Sequence, residues 1–297
     1  MKSLAYLFKQ WRTVRRNQGQ VLSMNERNLH YVYPHNQRSD YPVADNKLLT
    51  KDIVRELGVP TPQTFFAYSY FYELRNLQAD LQQYTDFVIK PASGSGGGGI
   101  IVIAGRQGDC WTSVGGTLYT LQDLRKHISD IIFGVYSFGL HDQAIIESRV
   151  VQHSEIDLLS PFGLADVRLI LCRHEPVLAM MRLATKASNG TANLHQGAIG
   201  VGVDIHTGVT RQASFKGETV QIHPDTEVPL LSRQIPYWSD ILQTGENVAR
   251  AVPLKYIGVD IAVSNSGPKL LEINARPGIE IQNANQQGMR AILEAIG

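Results

Sequence analysis

The chain has 297 residues, 43% hydrophobic and 19% charged, and a formal net charge of +1. This is a globular composition for one large or two smaller domains, and the near-zero charge excludes a protein that binds nucleic acid over a broad basic surface. The lone cysteines Cys110 and Cys172 exclude a zinc knuckle or a disulfide framework, and a reducing, cytoplasmic setting is expected.

In chain order, the first 25 residues hold Lys2, Lys9, Arg12, Arg15 and Arg16 and no acid. Leu4, Leu7, Phe8, Trp11 and Val14 recur at helical spacing, which predicts a basic amphipathic helix. Such a helix either docks on its own domain or meets a membrane surface or a partner. It lacks a signal peptide's long apolar core, and no run in the chain reaches the roughly 18 apolar residues of a membrane span. A helix is predicted from Asp45 to Leu57, with Leu48, Leu49, Ile53 and Leu57 as its apolar face and Gly58 and Pro60 ending it. A short strand, Thr64 to Tyr68, and a helix, Tyr72 to Tyr84, follow. Phe87 to Lys90 is a strand, Pro91 to Gly99 a glycine loop, and Ile100 to Ala104 a second strand.

Leu121 to Phe133 reads as a helix and Gln143 to Glu147 as a strand, with Ser148 to Val150 as a connecting segment. Val167 to Cys172 and Val177 to Leu183 pair as a hairpin. Ala198 to Ile205 is strand-like and Asp240 to Val252 helical. Tyr256 to Val263 and Lys269 to Ile273 are the last strands, turning at Asn265-Ser266-Gly267. Interleaved helices and hairpins predict an α+β chain with largely antiparallel sheets.

Gly94-Ser95-Gly96-Gly97-Gly98-Gly99 fits the G-x-G-x-x-G pattern. A dinucleotide site needs a helix straight after the loop, and a P-loop needs a closing Lys-Ser/Thr; a strand follows here, so both are excluded. A glycine loop between antiparallel strands can still cradle phosphates through its backbone N–H groups. Kinase motifs are missing, and Lys90 precedes the loop. Near the C-terminus, Glu272 and Asn274 alternate with Leu271 and Ile273, so they share one face. If the last strands pair, Asp260 joins that face, giving an oxygen set suited to Mg²⁺.

Asp45-Asn46-Lys47-Leu48-Leu49-Thr50-Lys51, Gly58-Val59-Pro60-Thr61-Pro62, Val88-Ile89-Lys90-Pro91, Val259-Asp260-Ile261 and Glu272-Ile273-Asn274-Ala275-Arg276-Pro277-Gly278 occur in this order. So arranged, with Asp166-Val167-Arg168 and Asn193-Leu194-His195-Gln196-Gly197, the chain resembles the ATP-grasp enzymes, closest to the RimK-type and α-L-glutamate ligase-like proteins. The resemblance implies an ATP-grasp fold, two α+β subdomains (42–146 and 147–297) clasping ATP, behind a shortened N-terminal region, 1–41. It implies that Lys47 and Lys90 contact phosphates together with Ser95, Gly96, Gly97 and Gly98. Glu147 to Val150 would form the adenine hinge, Asp166 would reach the ribose and Asn193 would lie by the phosphates. Asp260, Glu272 and Asn274 would hold two Mg²⁺, with Mn²⁺ as a substitute. Two departures stand out. Gln196 occupies a position that is usually arginine, and RimK-type enzymes carry a full domain before the segment that begins at Asp45. Completion of the site by another chain or a dimer partner is therefore expected.

The expected reaction is C–N ligation, in which a carboxylate takes the γ-phosphoryl group and an amine then displaces phosphate. The chain shows no Ser-His-Asp, Cys-His or H-E-x-x-H signature, and this chemistry needs positioning and charge neutralisation rather than a protein nucleophile. Arg168, Arg182 and Arg276 are candidates to grip the acyl phosphate or a substrate carboxylate. The expected substrates are a small-molecule or peptide carboxylate, glutamate among the candidates, and an amine. A small-molecule kinase on the same fold and a non-catalytic nucleotide binder are the alternatives.

Overall fold

The computed structural model describes residues 19–94 and 96–297. The amphipathic helix read into the first residues and Ser95 of the glycine loop therefore lie outside the described residues. Where description begins, Gly19 to Ser23 is not helical, and Ser23 caps a new turn, Met24–Arg27. The helical reading accordingly does not run on unbroken to Asn25.

Two antiparallel sheets organise the chain. The smaller has six strands in the order β1-β6-β2-β3-β4-β5. They are β1 (Thr64–Tyr68), β2 (Phe87–Pro91), β3 (Ile101–Gln107), β4 (Cys110–Ser113), β5 (Leu118–Tyr119) and β6 (Ala144–Glu147). The larger has seven strands in the order β11-β10-β9-β8-β7-β12-β13. These are β7 (Asp166–Cys172), β8 (Glu175–Leu183), β9 (Ile199–Val203), β10 (Thr210–Phe215), β11 (Glu218–Thr219), β12 (Tyr256–Ser264) and β13 (Gly267–Asn274). The expected α+β class with antiparallel sheets is the observed one.

Helix α1 (Lys47–Arg55) begins one residue later than the Asp45 cap reading, because the Asn46 side chain accepts from the N–H groups of Leu48 and Leu49. Its buried residues are Lys47, Thr50, Lys51 and Val54, while Leu49 and Leu57 are exposed. The spacing is helical, as expected, but the inward face is the cationic one, because the carboxylates of Glu147 and Glu272 lie opposite it. The helix expected over Tyr72 to Tyr84 is a 3₁₀ segment, Phe71–Asn76, followed by a short α2 (Leu77–Leu81). Leu74, Leu77 and Leu81 nevertheless supply the buried stripe.

Each sheet has its own core. Helix α3 (Leu121–Ile132), capped by Thr120, lays Leu124, Ile128, Ile131 and Ile132 on the smaller sheet beside Phe87, Ile89 and Trp111. Helix α4 (Trp238–Ala251) covers one face of the larger sheet, where Ile241 and Val248 meet Leu169, Leu171 and Val259; Val54 of α1 joins this core. The opposite face of the larger sheet is only partly covered. Leu22 and Val32, with Ile281 and Ala284 of α5 (Ile281–Asn285) and Leu293 of α6 (Arg290–Ile296), pack on Tyr256, Ile170 and Met180. The rest of that face carries charge. No helix among the described residues is long and apolar enough to cross a membrane.

Candidate active site

The acidic set forms as strand alternation requires. β12 and β13 pair with Asp260 opposite Glu272 and Gly258 opposite Asn274, so the three side chains share one face. Asn274 Nδ2 lies 3.3 Å from Asp260 Oδ2. Asp260 is 1% exposed and is gripped from the neighbouring strands. Arg168 Nε and Nη2 reach its two oxygens at 2.7 and 2.6 Å, and Arg182 Nη2 reaches Oδ2 at 2.7 Å. Arg182 also forks onto Asp166, at 2.6 Å to each oxygen.

Two carboxylates thus share two guanidinium groups in a buried network. Burial works against the charge on Asp260, but Arg168 and Arg182 outweigh it and hold this carboxyl below the usual carboxylate range. Burial pushes Asp166 up to about 6, against the pull of Arg182 and with the help of nearby Asp260. Burial opposes the charge on Arg182 as well, and Asp166 and Asp260 overcome it and raise its pKa.

A second charged cluster faces the first from the smaller sheet. Glu147, 3% exposed at the end of β6, lies 2.5 Å from Lys90 Nζ and 2.5 Å from Lys51 Nζ. Lys51 also donates to Pro62 O at 2.8 Å and Thr64 Oγ1 at 3.0 Å. Burial lowers the Lys51 pKa, and Glu147 counters that shift. Lys47 links the halves: its Nζ donates to Gly94 O at 2.8 Å and lies 3.5 Å from Glu272 Oε2. Lysines and acids expected at the two ends of the sequence therefore meet across one cleft.

The glycine loop is held from both sides. Asp142 accepts from Ser93 N at 3.0 Å, and His127 Nε2 lies 2.9 Å from Gly99 O. Gly99 has φ +75°, and a Cβ there would come within 2.7 Å of the Tyr136 ring, so only glycine fits. Across the cleft, Gln196 donates to Gly96 O at 3.3 Å, while Cβ atoms added at Gly96 and Gly97 would stand 3.6 Å from Asn193 Nδ2 and 3.5 Å from Thr191 Cγ2. The glutamine at the position usually taken by arginine thus bridges loop to loop. Gly98 lies in the turn before β3, and Val150 is half-buried just past β6. Arg276 is exposed beside Asn274, its guanidinium 5.5 Å from the centre of the Tyr41 ring.

Most residues singled out by sequence take part in these two charged clusters. Four are engaged in ways the sequence did not indicate: Asp166 is taken by Arg182, Glu147 by two lysines, and Arg168 and Arg182, expected to grip a substrate oxyanion, are themselves held by Asp260 and Asp166. Sequence reasoning passed over Lys51, Asp142 and His127 as members of the site. For Lys51 there was a signal, since it stands one helical turn after Lys47.

The oxygen set has room for Mg²⁺. Asp260 Oδ2 takes N–H groups from Arg168, Arg182 and Asn274, whereas Oδ1 takes only Arg168 Nε. A carboxylate has about four acceptor directions, so Oδ1 retains capacity. Glu272, opposite Asp260 in the hairpin, pairs among the described residues with Lys47 at 3.5 Å. Among the described residues, no three His, Cys, Asp or Glu side chains converge, which rules against a zinc-type cluster there. Two carboxylates with an amide oxygen suit a hard cation that keeps water and phosphate oxygens, and the residues fit.

A family model described as sugar-transfer associated ATP-grasp matches residues 26–297. A probable alpha-L-glutamate ligase of Thioalkalivibrio sulfidiphilus is 24% identical over 249 residues, 84% of this chain and 61% of that protein. One from Halorhodospira halophila is 24% identical over 252 residues, again covering 84% and 61%. The chain therefore spans 61% of the length of these relatives. Among solved structures, a D-alanine–D-alanine ligase from Bacillus anthracis matches 88% of this chain and 68% of its own, at 13% identity and a TM-score of 0.48.

Proposed function

The chain belongs to the sugar-transfer associated ATP-grasp family, and from that premise we propose that it is an ATP-dependent carboxylate–amine ligase releasing ADP and phosphate. The observation that carries this reading is the meeting of Lys47 with Glu272 across the cleft. It brings a phosphate-binding type of residue beside a metal-binding type.

In this reading Lys47, Lys51 and Lys90 neutralise the triphosphate as point charges, and the glycine loop supplies backbone N–H groups. The peptide after Glu147, through Val150, borders the adenine. Asp166 lies toward the ribose and Asn193 toward the phosphates. Asp260, Glu272 and Asn274 hold Mg²⁺, one or two ions with Mn²⁺ as a substitute, and the metal supplies charge neutralisation at the phosphate oxygens. A substrate carboxylate oxygen attacks the γ-phosphorus and the bond to the β-phosphate oxygen breaks, giving an acyl phosphate and ADP. The amine then attacks the acyl carbon, loses a proton, and expels phosphate as the C–O bond breaks. Arg168 and Arg182 are held by Asp260 and Asp166, so they order the metal-binding face instead of gripping the acyl phosphate, and Arg276, exposed, is left to meet a substrate carboxylate.

The curated relatives are named as probable alpha-L-glutamate ligases, which makes glutamate the first carboxylate to try. Residues 42–146 and 147–297 act as the two clasping halves, and the amphipathic helix read at the start of segment 1–41 docks on its own domain, a membrane surface or a partner. A cytoplasmic location suits the ATP supply.

The test is incubation with ATP, Mg²⁺, pooled amino acids and candidate amines, followed by mass spectrometry and nucleotide analysis. An amide adduct with stoichiometric ADP supports ligation. AMP, or a stable phosphorylated product without amide, rejects it, the latter in favour of a kinase.

A further inference from the structure

The sheet face that carries Asp260 continues toward Tyr256, because alternate residues of β12 point the same way. Gly258 lies between them under Pro277, whose Cβ would stand 2.6 Å from a Cβ placed at Gly258. Segment 22–41 lies over the Tyr256 end of this face, with Leu22 and Val32 in its core. Asn36 fastens the segment there: its Nδ2 donates to Tyr256 O at 2.7 Å and Ala275 O at 2.9 Å.

Arg27 belongs to this segment and is 5% exposed. Its Nη1 donates to Pro277 O, the carbonyl three residues beyond Asn274. Its Nε has no partner among the described residues, and neither does Asn28 Oδ1. Arg27 also forms no ion pair there. Burial disfavours its charge; nearby Tyr256 and Glu280 favour that charge and Arg276 opposes it, but among the described residues no carboxylate reaches ion-pair distance of the guanidinium. The helix changes to a π-turn at Asn28–Val32, an irregularity common at binding sites. Arg276 itself is exposed and, among the described residues, has no acidic partner.

We propose that Arg27 and Arg276 form a carboxylate subsite beside the metal-binding set, which holds a spectator carboxylate of an organic substrate. This rests on the ligase reading. The carboxylate to be activated must sit with the triphosphate, near Lys47 and Glu272. Arg27 lies on the other side of Pro277, toward Tyr256, so the group it binds is one the reaction does not consume. The substrate class is therefore an α-amino acid or a dicarboxylate, with one carboxylate free for recognition. A guanidinium edge binds such a group through two parallel N–H donors, which lysine cannot imitate.

The test uses the full chain saturated with Mg²⁺ and a non-hydrolysable ATP analogue. Binding of L-amino acids, succinate and glutarate is followed by calorimetry in the parent, Arg27→Lys, Arg27→Gln and Arg276→Gln proteins. At least one probe should bind the parent complex and lose affinity at least about tenfold in each variant, with affinity for the ATP analogue unchanged. Arg276 is exposed, so Arg276→Gln reports on the subsite even where an Arg27 variant folds poorly. Equal affinity in the parent and folded variants overturns the proposal, as does a parent complex that binds the analogue but none of the probes. The ligase reading fails separately, if bound carboxylates are never converted to an ATP-dependent adduct.

Discussion

Among the described residues Glu147 is the one carboxylate paired with both Lys51 and Lys90, and replacing it tests how this lysine cluster is held together. At 2.5 Å to each lysine, the gross attraction is about 7 kcal/mol per pair at an effective dielectric of about 20. Desolvation of three buried charges offsets most of it, and removing one partner of a buried pair typically costs about 3–5 kcal/mol. Glu147→Gln keeps the shape and leaves two uncompensated cations, so it should lose about that much stability. Lys51→Met is the control, because it leaves Glu147 paired with Lys90. It should cost about 1–2 kcal/mol, chiefly for Pro62 O and Thr64 Oγ1, which lose their donor. Urea unfolding at neutral pH, in buffer free of nucleotide and phosphate, measures both. Should Glu147→Gln cost less than Lys51→Met, the charge argument for this cluster is wrong.

Other expectations concern the metal set, a close contact and pH. Asp260→Asn and Glu272→Ala should abolish ADP formation while retaining measurable binding of an ATP analogue; near-normal turnover in both would refute their assignment. Gly258→Ala forces a Cβ to 2.6 Å from Pro277 and should destabilise the fold by about 1–3 kcal/mol, read from thermal unfolding; a neutral change would mean that the Pro277 loop yields freely. Burial lowers the His127 pKa from 6.5, with the Gly99 contact opposing, so its neutral form is favoured in the folded chain. Its contribution is complete above the unfolded value near 6.5 and is lost as pH falls through the lower folded value. His127→Gln should flatten that loss of stability below pH 6.5; an unchanged pH profile would remove His127 from the account.

The shared face of Asp260, Glu272 and Asn274 was legible because two local regularities sufficed, alternation along a strand and a hairpin turn at Asn265-Ser266-Gly267. The glycine loop was readable for a similar reason, since the strand after it excluded the commoner nucleotide motifs. What escaped depends on strands far apart in sequence. Arg168 faces Asp260 because β7 pairs with β12, and Arg182 faces Asp166 because β7 pairs with β8. Only that order, 8-7-12-13, turns four charged residues into one buried network. Helix α1 misled in the other direction. Its leucines marked an apolar face, yet Lys47 and Lys51 turned inward, because Glu272 and Glu147 lie opposite them and offset the desolvation of their charges. Arg27 left no periodic signal at all; its environment exists only because segment 22–41 folds back over the C-terminal strands.

The central claim is that a carboxylate is activated by phosphoryl transfer from ATP and then captured by an amine. Its most direct test is to run the reaction with carboxyl-¹⁸O-labelled amino acids and weigh the released phosphate. Acyl-phosphate ligation leaves one carboxylate oxygen on phosphorus, so each phosphate formed with an amide should carry one ¹⁸O beside stoichiometric ADP. Unlabelled phosphate from a reaction that does form amide, or AMP in place of ADP, would contradict the account.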